Sequence, residues 1–447
     1  MSRLFFEFQS PNGNRRAGKK TKICVLGDFA GNGAADLSAP ARVDLESVDL
    51  LMAKLRPTVC VNLAGREWQY PITSLESFHP DLLLTAPGPL AALASLRKNL
   101  LNPTTAGSAK QEAALWLDAP VFEKPSVTPS SISAQPDDTF SRLLGGTIPD
   151  PTSSPSVADT RQASPFDTII KNLVGNTPPT APQATATAQA VEAKLGEFLR
   201  EILTDNEFQA LESRWRGLEL LLQHLDCDET EIFVCQCHRL SDAVSQLLSD
   251  TFEEDEHLML VGLFAFGAEA EDIQQASEAT ELARRLNTLF LAAAAPSLLG
   301  LTSFADLPKL PTDFATPAWN QLRSGPASAH LSLALPQFLL RLPYGTKTDP
   351  IESFPFEEYG PGFARTHYLW GNPAILCAID CVTGSGGAVG PLPIHTDGSN
   401  LLSPSTEVIL PERSMEQLFL QGFTPILAMK NRNAVQIPRI QGITIAR

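Results

Sequence analysis

The residues with the clearest potential for chemistry lie in KTKICVLGDFAGNG, residues 20–33, where an apolar run ends in a turn that carries Gly27 and Gly31. A strand followed by a glycine-rich turn is how phosphate-binding loops begin. A P-loop, however, requires Gly-x4-Gly-Lys-Ser/Thr, and here Gly31 is followed by Asn-Gly-Ala, with neither the lysine nor the hydroxyl. The carboxylate of Asp28 would also repel phosphate. These residues therefore disfavour a nucleotide site.

A second candidate group is cysteine-rich. Cys235, Cys237 and His238, with Cys227 upstream, could be zinc ligands. The pattern EIFVCQC at 231–237 predicts a strand that places Cys235 and Cys237 on one face. A tetrahedral zinc site needs four ligands, usually from two closely spaced pairs, and no second pair is present. Buried thiols are therefore favoured over zinc, and neither a metal nor a cofactor is predicted.

A second glycine-rich loop, TGSGGAVGPLPIH at 383–395, places a serine among glycines ahead of a histidine. This combination hints at acyl transfer, but the Gly-x-Ser-x-Gly pattern of a nucleophile elbow is not met. The acidic pair Glu357–Glu358 and the acidic run at 253–256 are interpreted as solvated faces. No catalytic residue is predicted. A hydrolase with an unrecognised site is kept as an alternative, because catalytic groups converge in space and not in sequence.

The charge balance restricts the partners. The 447-residue chain carries 50 acidic and 34 basic side chains, for a formal net charge of −16. This balance disfavours nucleic acid and anionic membranes, since phosphate binding needs clustered lysine and arginine. No apolar run approaches the roughly eighteen residues of a membrane span, so direct membrane insertion is not predicted. With no signal-peptide core and seven cysteines in no framework spacing, a cytoplasmic location is predicted.

Residues 1–118 are predicted to form a first domain with a mixed sheet. Strand patterns occur in RLFFEF, KICVLGDF, TVCVNLA and EWQYPI, and helix patterns in VDLESVDLLMAKL and PLAALASLRKNLL. Residues 119–165 are rich in proline, serine and threonine, a composition that cannot bury enough apolar surface to fold alone, and they are predicted to be a linker. An apolar island at 138–147 is either a docking peptide or a segment that packs back on the first domain.

Residues 166–447 are predicted to form a second domain. Thr204 and Glu207 form a capping-box pattern at the start of a helix. The apolar stripe of this helix is Phe208, Leu211, Trp215, Leu218, Leu222 and Leu225. Strand and helix patterns then alternate over 230–295, which predicts a βαβαβ unit with a parallel sheet. The expected fold class is therefore α/β, with α+β in parts.

The N-terminal motifs resemble a known family, the contractile sheath proteins of the bacterial type VI secretion system. KICVLGDFAG at 22–31, VDLESVDLLMAKLRP at 43–57 and SLESFHPDLLL at 74–84 are similar to the small sheath subunit, TssB or VipA. In that family the glycine turn is structural. The resemblance therefore implies that Gly27, Asp28 and Gly31 shape a turn.

The second domain resembles the large sheath subunit, TssC or VipB. The blocks that carry the resemblance occur in order: EILTDNEFQALESRWRGLELLL, APSLLGLTSFADLP, LPQFLLRLPYGTKTDPIESFPFEE, YLWGNPAIL, PLPIHT and STEVILPERSMEQLFLQGFTPI. Both subunit types are thus expected in one chain, joined by the linker. The fusion would raise the effective concentration of one half for the other, to roughly millimolar for a flexible tether.

The resemblance implies a structural role and not an enzyme. In the family, small and large subunits pair as obligate heterodimers and polymerise as a helical sheath around a tube of Hcp rings. The sheath contracts to expel the tube, and a ClpV-type ATPase then disassembles it. The implied partners are therefore other sheath subunits, Hcp and the ClpV-type ATPase, with the baseplate as a further candidate.

Two short segments are assigned contacts by the same resemblance. Inter-subunit strand addition would use the N-terminal strand, with the residues Leu4, Phe5, Phe6, Glu7 and Phe8. FSRLLGGT, in the linker island, resembles the segment that the ATPase grips, with the candidate contacts Phe140, Leu143 and Leu144.

The C-terminal end departs from the family pattern. The large subunit continues past the point that matches KNRNAVQIPRIQGITIAR into further helices and a terminal strand, whereas this chain stops at Arg447. That difference raises the alternative of a sheath-like accessory protein that caps, anchors or regulates assembly. The two expectations are an ordinary fused sheath subunit and this specialised relative.

Overall fold

The computed structural model describes residues 20–33, 39–117, 181–248, 252, 257–311, 314, 316–359, 368–393, 405–430 and 432–445. The described residues of Met1–Ala94 and Glu192–Arg447 form one compact unit, and those of Ser95–Val191 form a second. The description below concerns the first unit unless the second is named.

Helices occur throughout the described residues. They are α1 (Val48–Leu55), α2 (Pro80–Thr85), α3 (Pro89–Leu101), α4 (Ala106–Leu117), α5 (Ala181–Leu203), α6 (Asn206–His224), α7 (Leu240–Leu247), α8 (Ala270–Arg285), α9 (Pro317–Ser324), α10 (Ala374–Thr383) and α11 (Glu412–Leu420). None of these helices is long and apolar enough to cross a membrane. In the second unit, α4 buries Ala106, Ala109 and Ala113, which share one helical face.

The strands are mostly short. They are β1 (Thr21–Gly27), β2 (Ala41–Val43), β3 (Thr58–Leu63), β4 (Arg66–Pro71), β5 (Thr230–Gln236), β6 (His257–Phe266), β7 (Phe290–Ala294), β8 (Leu331–Leu335), β9 (Phe338–Arg341), β10 (Leu369–Gly371), β11 (Ala388–Val389), β12 (Thr424–Pro425), β13 (Leu427–Ala428) and β14 (Val435–Gln436).

The main sheet has seven strands in the order β12-β8-β7-β6-β1-β5-β2. All neighbouring pairs are parallel except β2 with β5, which is antiparallel. Strand β1 lies between β5 and β6, so that Ile23 pairs with Ile232 on one side and with Met259 on the other. A strand from the start of the chain therefore completes a sheet whose other parallel strands begin more than two hundred residues later.

The mixed helix-and-sheet architecture confirms the α/β class. The predicted βαβαβ alternation is present as β5, α7, β6, α8 and β7. Parallel strands covered on both faces are apolar throughout, which explains why all five residues of β7 are buried. The position of β1 between β5 and β6 was not predicted, because strands that follow each other in sequence usually neighbour each other in the sheet.

A separate hairpin is formed by β3 and β4. Its two-residue turn has positive φ at Ala64 (51°) and Gly65 (77°), the geometry that suits a tight hairpin with right-twisted strands. Alternate residues of the hairpin, including Val61 and Trp68, are buried. The strand patterns TVCVNLA and EWQYPI are thus confirmed.

The start of α6 differs from its prediction. Thr204 is not the N-cap: its hydroxyl donates to the carbonyl oxygen of Arg200 at 2.7 Å. Asp205 is the cap, and its Oδ1 accepts from the N–H of Glu207 and of Phe208, both at 3.0 Å. The predicted capping box is therefore wrong, because the adjacent aspartate satisfies the first free N–H groups of the helix. The predicted apolar stripe of α6 is confirmed as buried.

Candidate functional site

The turn after β1 is organised by the Asp28 carboxylate. Its Oδ1 accepts hydrogen bonds from the backbone N–H of Ala30 at 3.2 Å and of Gly31 at 3.0 Å. Successive backbone N–H groups of this kind are what a phosphate-binding loop offers to an anion. In this turn the chain's own carboxylate accepts from them, so the glycine-rich sequence supports a self-contained turn.

Gln236, at the end of β5, connects the turn to the neighbouring strand. Its side-chain nitrogen donates to Asp28 Oδ1 at 2.9 Å, and its side-chain oxygen accepts from the N–H of Phe29 at 2.7 Å. Gln236 is only 4% exposed. A buried amide must be hydrogen-bonded at both ends to avoid a desolvation cost, and Asp28 and Phe29 together meet that requirement.

Two residues of α6 bind the same turn. Arg214 donates from Nη1 to the carbonyl oxygen of Asp28 at 3.0 Å, and the indole N–H of Trp215 donates to the carbonyl oxygen of Phe29 at 3.0 Å. The rings of Phe29 and Trp215 meet edge to face, with centroids 5.2 Å apart. The backbone carbonyl groups of Asp28 and Phe29 are thereby satisfied by side chains from a distant helix.

Gly31 has the backbone conformation that glycine tolerates best. Its φ is +56°, and a Cβ added there would lie 2.9 Å from the carbonyl oxygen of Thr58. We expect Gly31→Ala to lower the free energy of unfolding by about 2 kcal/mol, because the left-handed backbone and the close contact both oppose a side chain. Urea unfolding would measure the change.

Gly65 provides the matched control. Its φ is also positive, at +77°, but a Cβ there would meet nothing within 4 Å. Gly65→Ala should therefore lower the free energy of unfolding by only about 1 kcal/mol, the cost of placing a side chain on a left-handed backbone. Equal losses in the two variants would show that the contact of Gly31 with Thr58 has no energetic role.

A second polar group is a buried ion cluster between α6 and the segment that follows β9. Arg341 Nε donates to Glu212 Oε1 at 2.7 Å, and its Nη1 donates to Glu358 Oε2 at 2.8 Å. Arg216 Nε also donates to Glu212 Oε1 at 2.7 Å, and its Nη2 donates to the Tyr344 hydroxyl at 3.2 Å. Two guanidinium groups and two carboxylates balance in charge, which is the condition under which ions are tolerated in a protein interior.

The cluster shifts the ionisation of its members. Burial by itself raises the pKa of the Glu212 carboxyl, but attraction to Arg341 and Arg216 outweighs burial, and the pKa is lowered. Burial would lower the pKa of Arg341, yet Glu212 and Glu358 raise it well above its ordinary value. The cluster is therefore held in its charged form.

Acidification should weaken the fold through Glu212. Its folded pKa lies below the ordinary value of 4.5, so the unfolded carboxyl takes up its proton first as the pH falls. The stabilising contribution is complete above that value and is lost as the pH falls through the folded pKa. Wild type should lose unfolding free energy between about pH 6 and pH 3.5 more steeply than Glu212→Gln. Urea unfolding across that range is the measurement, with exposed Glu416 supplying a matched Glu→Gln control; parallel slopes for wild type and Glu212→Gln would contradict the prediction.

The sequence-based interpretation of Glu357–Glu358 as a solvated face is wrong for one of the two residues. Glu357 is exposed, but Glu358 is 1% exposed and accepts from Arg341 and from the N–H of Tyr344. Phe354, Phe356 and Glu358 are buried, and the residues between them are exposed. The alternating phenylalanines are therefore the sequence signal that could have placed Glu358, and not Glu357, on the buried side.

The cysteines follow the prediction of buried thiols. Cys235 and Cys237 are 0% and 2% exposed, and Cys235 Sγ donates to the side-chain oxygen of Gln246 at 3.2 Å. His238, a candidate zinc ligand in the sequence, instead places Nδ1 3.2 Å from Asp28 Oδ2. Cys227 is exposed, beside Asp226 and Asp228, and so does not join the buried pair.

The two partner-binding segments predicted from the sequence lie outside the described residues. They are the strand residues Leu4, Phe5, Phe6, Glu7 and Phe8, and the docking residues Phe140, Leu143 and Leu144. Of the assigned site residues, Gly27, Asp28 and Gly31 are described, and they lie together at the end of β1.

The fold and these two polar groups define an α/β protein whose central sheet is completed by an N-terminal strand. The chain belongs to the VipB family (EvpB/VC_A0108, tail sheath N-terminal domain), whose model matches residues 185–441. The matched range contains α6, the ion cluster and β5 to β14, and it begins after β1 to β4.

A curated relative supports the same family. Residues of this chain are 31% identical over 287 positions to the type VI secretion system sheath protein TssC1 of Pseudomonas aeruginosa. The alignment covers 54% of this chain and 57% of the relative. The chain therefore spans little more than half the length of the relative that it matches.

Proposed function

We propose that this chain is a structural subunit of a type VI secretion contractile sheath and that it carries both subunit types on one polypeptide. Residues 1–118 supply the small-subunit part, 119–165 the linker and 166–447 the large-subunit part. Membership of the tail-sheath family supports the sheath role, and the identity to TssC1 supports the type VI system.

The observation that carries the fusion is the place of β1. This strand pairs along its whole length with β5 and over six residues with β6, both of which lie in the family-matched region. Asp28 and Phe29 then bind α6 and β5 through four hydrogen bonds, and Asp28 Oδ2 lies 3.2 Å from Nδ1 of His238, just after β5. Two subunit types that must pair obligately would be expected to share a core in this way.

The proposed mechanism is mechanical. Subunits assemble around the Hcp tube, and contraction expels the tube because two packings of the same subunits differ in free energy. A ClpV-type ATPase recovers the subunits in the cytoplasm, and the baseplate anchors the assembly. The described polar groups hold the subunit together, so that motion takes place between subunits and not within the sheet.

The N-terminal strand and the linker island are proposed contacts of this assembly. The residues Leu4 to Phe8 would add as a strand to a neighbouring subunit. Leu143 and Leu144 would enter a groove of the ATPase. Replacing both leucines with aspartate should abolish ATPase binding in a pull-down assay, and unchanged binding would rule out this contact.

Negative-stain electron microscopy of the purified chain tests the proposal. Long hollow tubes formed by this chain alone are the expected result. Tubes that become fewer or shorter when the chain is added to a separate sheath protein would indicate an accessory role instead. Failure to form or join tubes under any condition would contradict a sheath role altogether.

A further inference from the structure

We propose that the side chains around Asp28 determine which N-terminal strand can take the place of β1 in the main sheet of the large-subunit part. They favour a segment that carries an aspartate directly after that strand. This Asp28 network consists of Asp28, Arg214, Trp215, Gln236 and His238. The inference rests on the proposed pairing of a small-subunit segment with a large-subunit domain. Within that pairing, it makes the Asp28 network responsible for the choice of segment.

Gln236 is the residue that distinguishes between different side chains at position 28. Its oxygen accepts from the N–H of Phe29, a backbone group that any residue supplies, so its nitrogen must face the side chain at position 28. An alanine at this position would leave that buried nitrogen without its partner. A binding site built around a hydrogen bond rejects ligands that lack it, because its own polar groups are then left unpaired.

The charge of residue 28 is selected as well. Arg214 donates to the carbonyl oxygen of Asp28, and His238 Nδ1 lies 3.2 Å from Asp28 Oδ2. Burial lowers the pKa of Arg214, and the nearby Asp28 carboxylate offsets part of that shift, so a negative charge at position 28 favours the buried guanidinium. An asparagine would keep one acceptor for Gln236 but would lose this complementary charge.

Other contacts of the turn are not selective. Trp215 and Arg214 donate to backbone carbonyl groups, and the ladder of β1 with β5 and β6 is also backbone. These contacts supply affinity for an apolar strand of any sequence. Discrimination therefore rests on side chain 28 against Gln236 and His238, since specificity is a difference between affinities.

A competition between cut chains tests the inference. The full chain receives a protease site within residues 118–180 and is cut, and the wild-type and Asp28→Asn forms carry different tags on their N-terminal fragments. The two are mixed in urea, the urea is removed, and mass spectrometry counts the fragments bound to the wild-type large-subunit part. The wild-type fragment should be recovered in about tenfold excess or more.

Two further variants separate recognition from stability. Asp49→Asn, on the exposed surface of α1, should compete equally with wild type. A large-subunit part with Gln236→Glu should lose the preference for the wild-type fragment, because a glutamate repels the Asp28 carboxylate more strongly than the neutral side chain of an asparagine. Equal recovery of the wild-type and Asp28→Asn fragments, an undiminished preference in the Gln236→Glu variant, or no association of the wild-type fragments would each overturn the inference.

The outcome is independent of sheath assembly. Tubes of uncut protein seen by electron microscopy without strand selection would leave the proposed function in place and remove only the role of the Asp28 network. Strand selection without any tubes would keep that role and remove the sheath function.

Discussion

Replacing Arg341 with methionine is expected to lower the free energy of unfolding by about 3–5 kcal/mol. Arg341 is 8% exposed, and it donates two hydrogen bonds to Glu212 and two to Glu358. Its guanidinium also lies 4.2 Å above the ring centre of Tyr344. Removing it would leave Glu358 without its cation in the interior, and uncompensated buried charge is among the costliest defects in a fold.

Urea or guanidinium unfolding of the full chain would measure this loss. Arg341→Lys keeps the charge but not the planar fork that reaches both carboxylates, so its loss should be intermediate. Arg284→Met is the matched control, because Arg284 pairs with Glu281 on the exposed surface of α8, and no measurable change is expected. If Arg341→Met and Arg284→Met behaved alike, the cluster would have no special part in stability.

Replacing Trp215 with alanine is the second change with a large expected effect, a loss of about 3–5 kcal/mol. Trp215 is fully buried, and its ring meets the ring of Phe29 edge to face. Its indole N–H donates to the backbone carbonyl oxygen of Phe29. The substitution would leave a cavity where α6 packs against the turn after β1, and would also orphan a backbone acceptor. Equilibrium unfolding followed by circular dichroism is the measurement.

A double-mutant cycle would show that the interaction of Phe29 with Trp215 stabilises the packing of the turn after β1 against the family-matched region. Trp215 and Phe29 should couple by about 0.5–1.5 kcal/mol beyond the sum of their single replacements by alanine. Trp215→Phe keeps an aromatic ring but removes the N–H donor, and should cost about 1–2 kcal/mol. Additive effects of the two alanine replacements would mean that the turn and α6 are energetically independent.

Local patterns predicted many elements correctly. The three-four spacing of apolar residues from Phe208 to Leu225 defined the buried face of α6, and the run HLMLVGLFAF matches β6 residue for residue. These predictions succeeded because a helix or a strand repeats its direction of burial over a few residues. The boundary of α6 was less well defined, since Thr204 and Asp205 are both good N-caps and only the folded chain chose between them.

The partners within the ion cluster and the Asp28 network could not be predicted from local patterns. Glu212 and Arg341 are 129 positions apart, and Asp28 and Gln236 are 208 apart. A charged residue within an amphipathic helix usually lies on its solvated face, so the sequence gives no reason to bury Glu212. Arg216 lies one turn away on the same helix, but Arg341 reaches Glu212 only when α6 and β9 are brought together.

By itself the sequence determined the α/β class, the periodicity of its helices and strands, and a resemblance to sheath proteins that the tail-sheath family match confirms for residues 185–441. Only the tertiary structure decided that β1 lies between β5 and β6, and that Asp28 meets Gln236. The physical reason is that local periodicity encodes which face of an element is buried, whereas strand order and charge pairing depend on packing between distant elements.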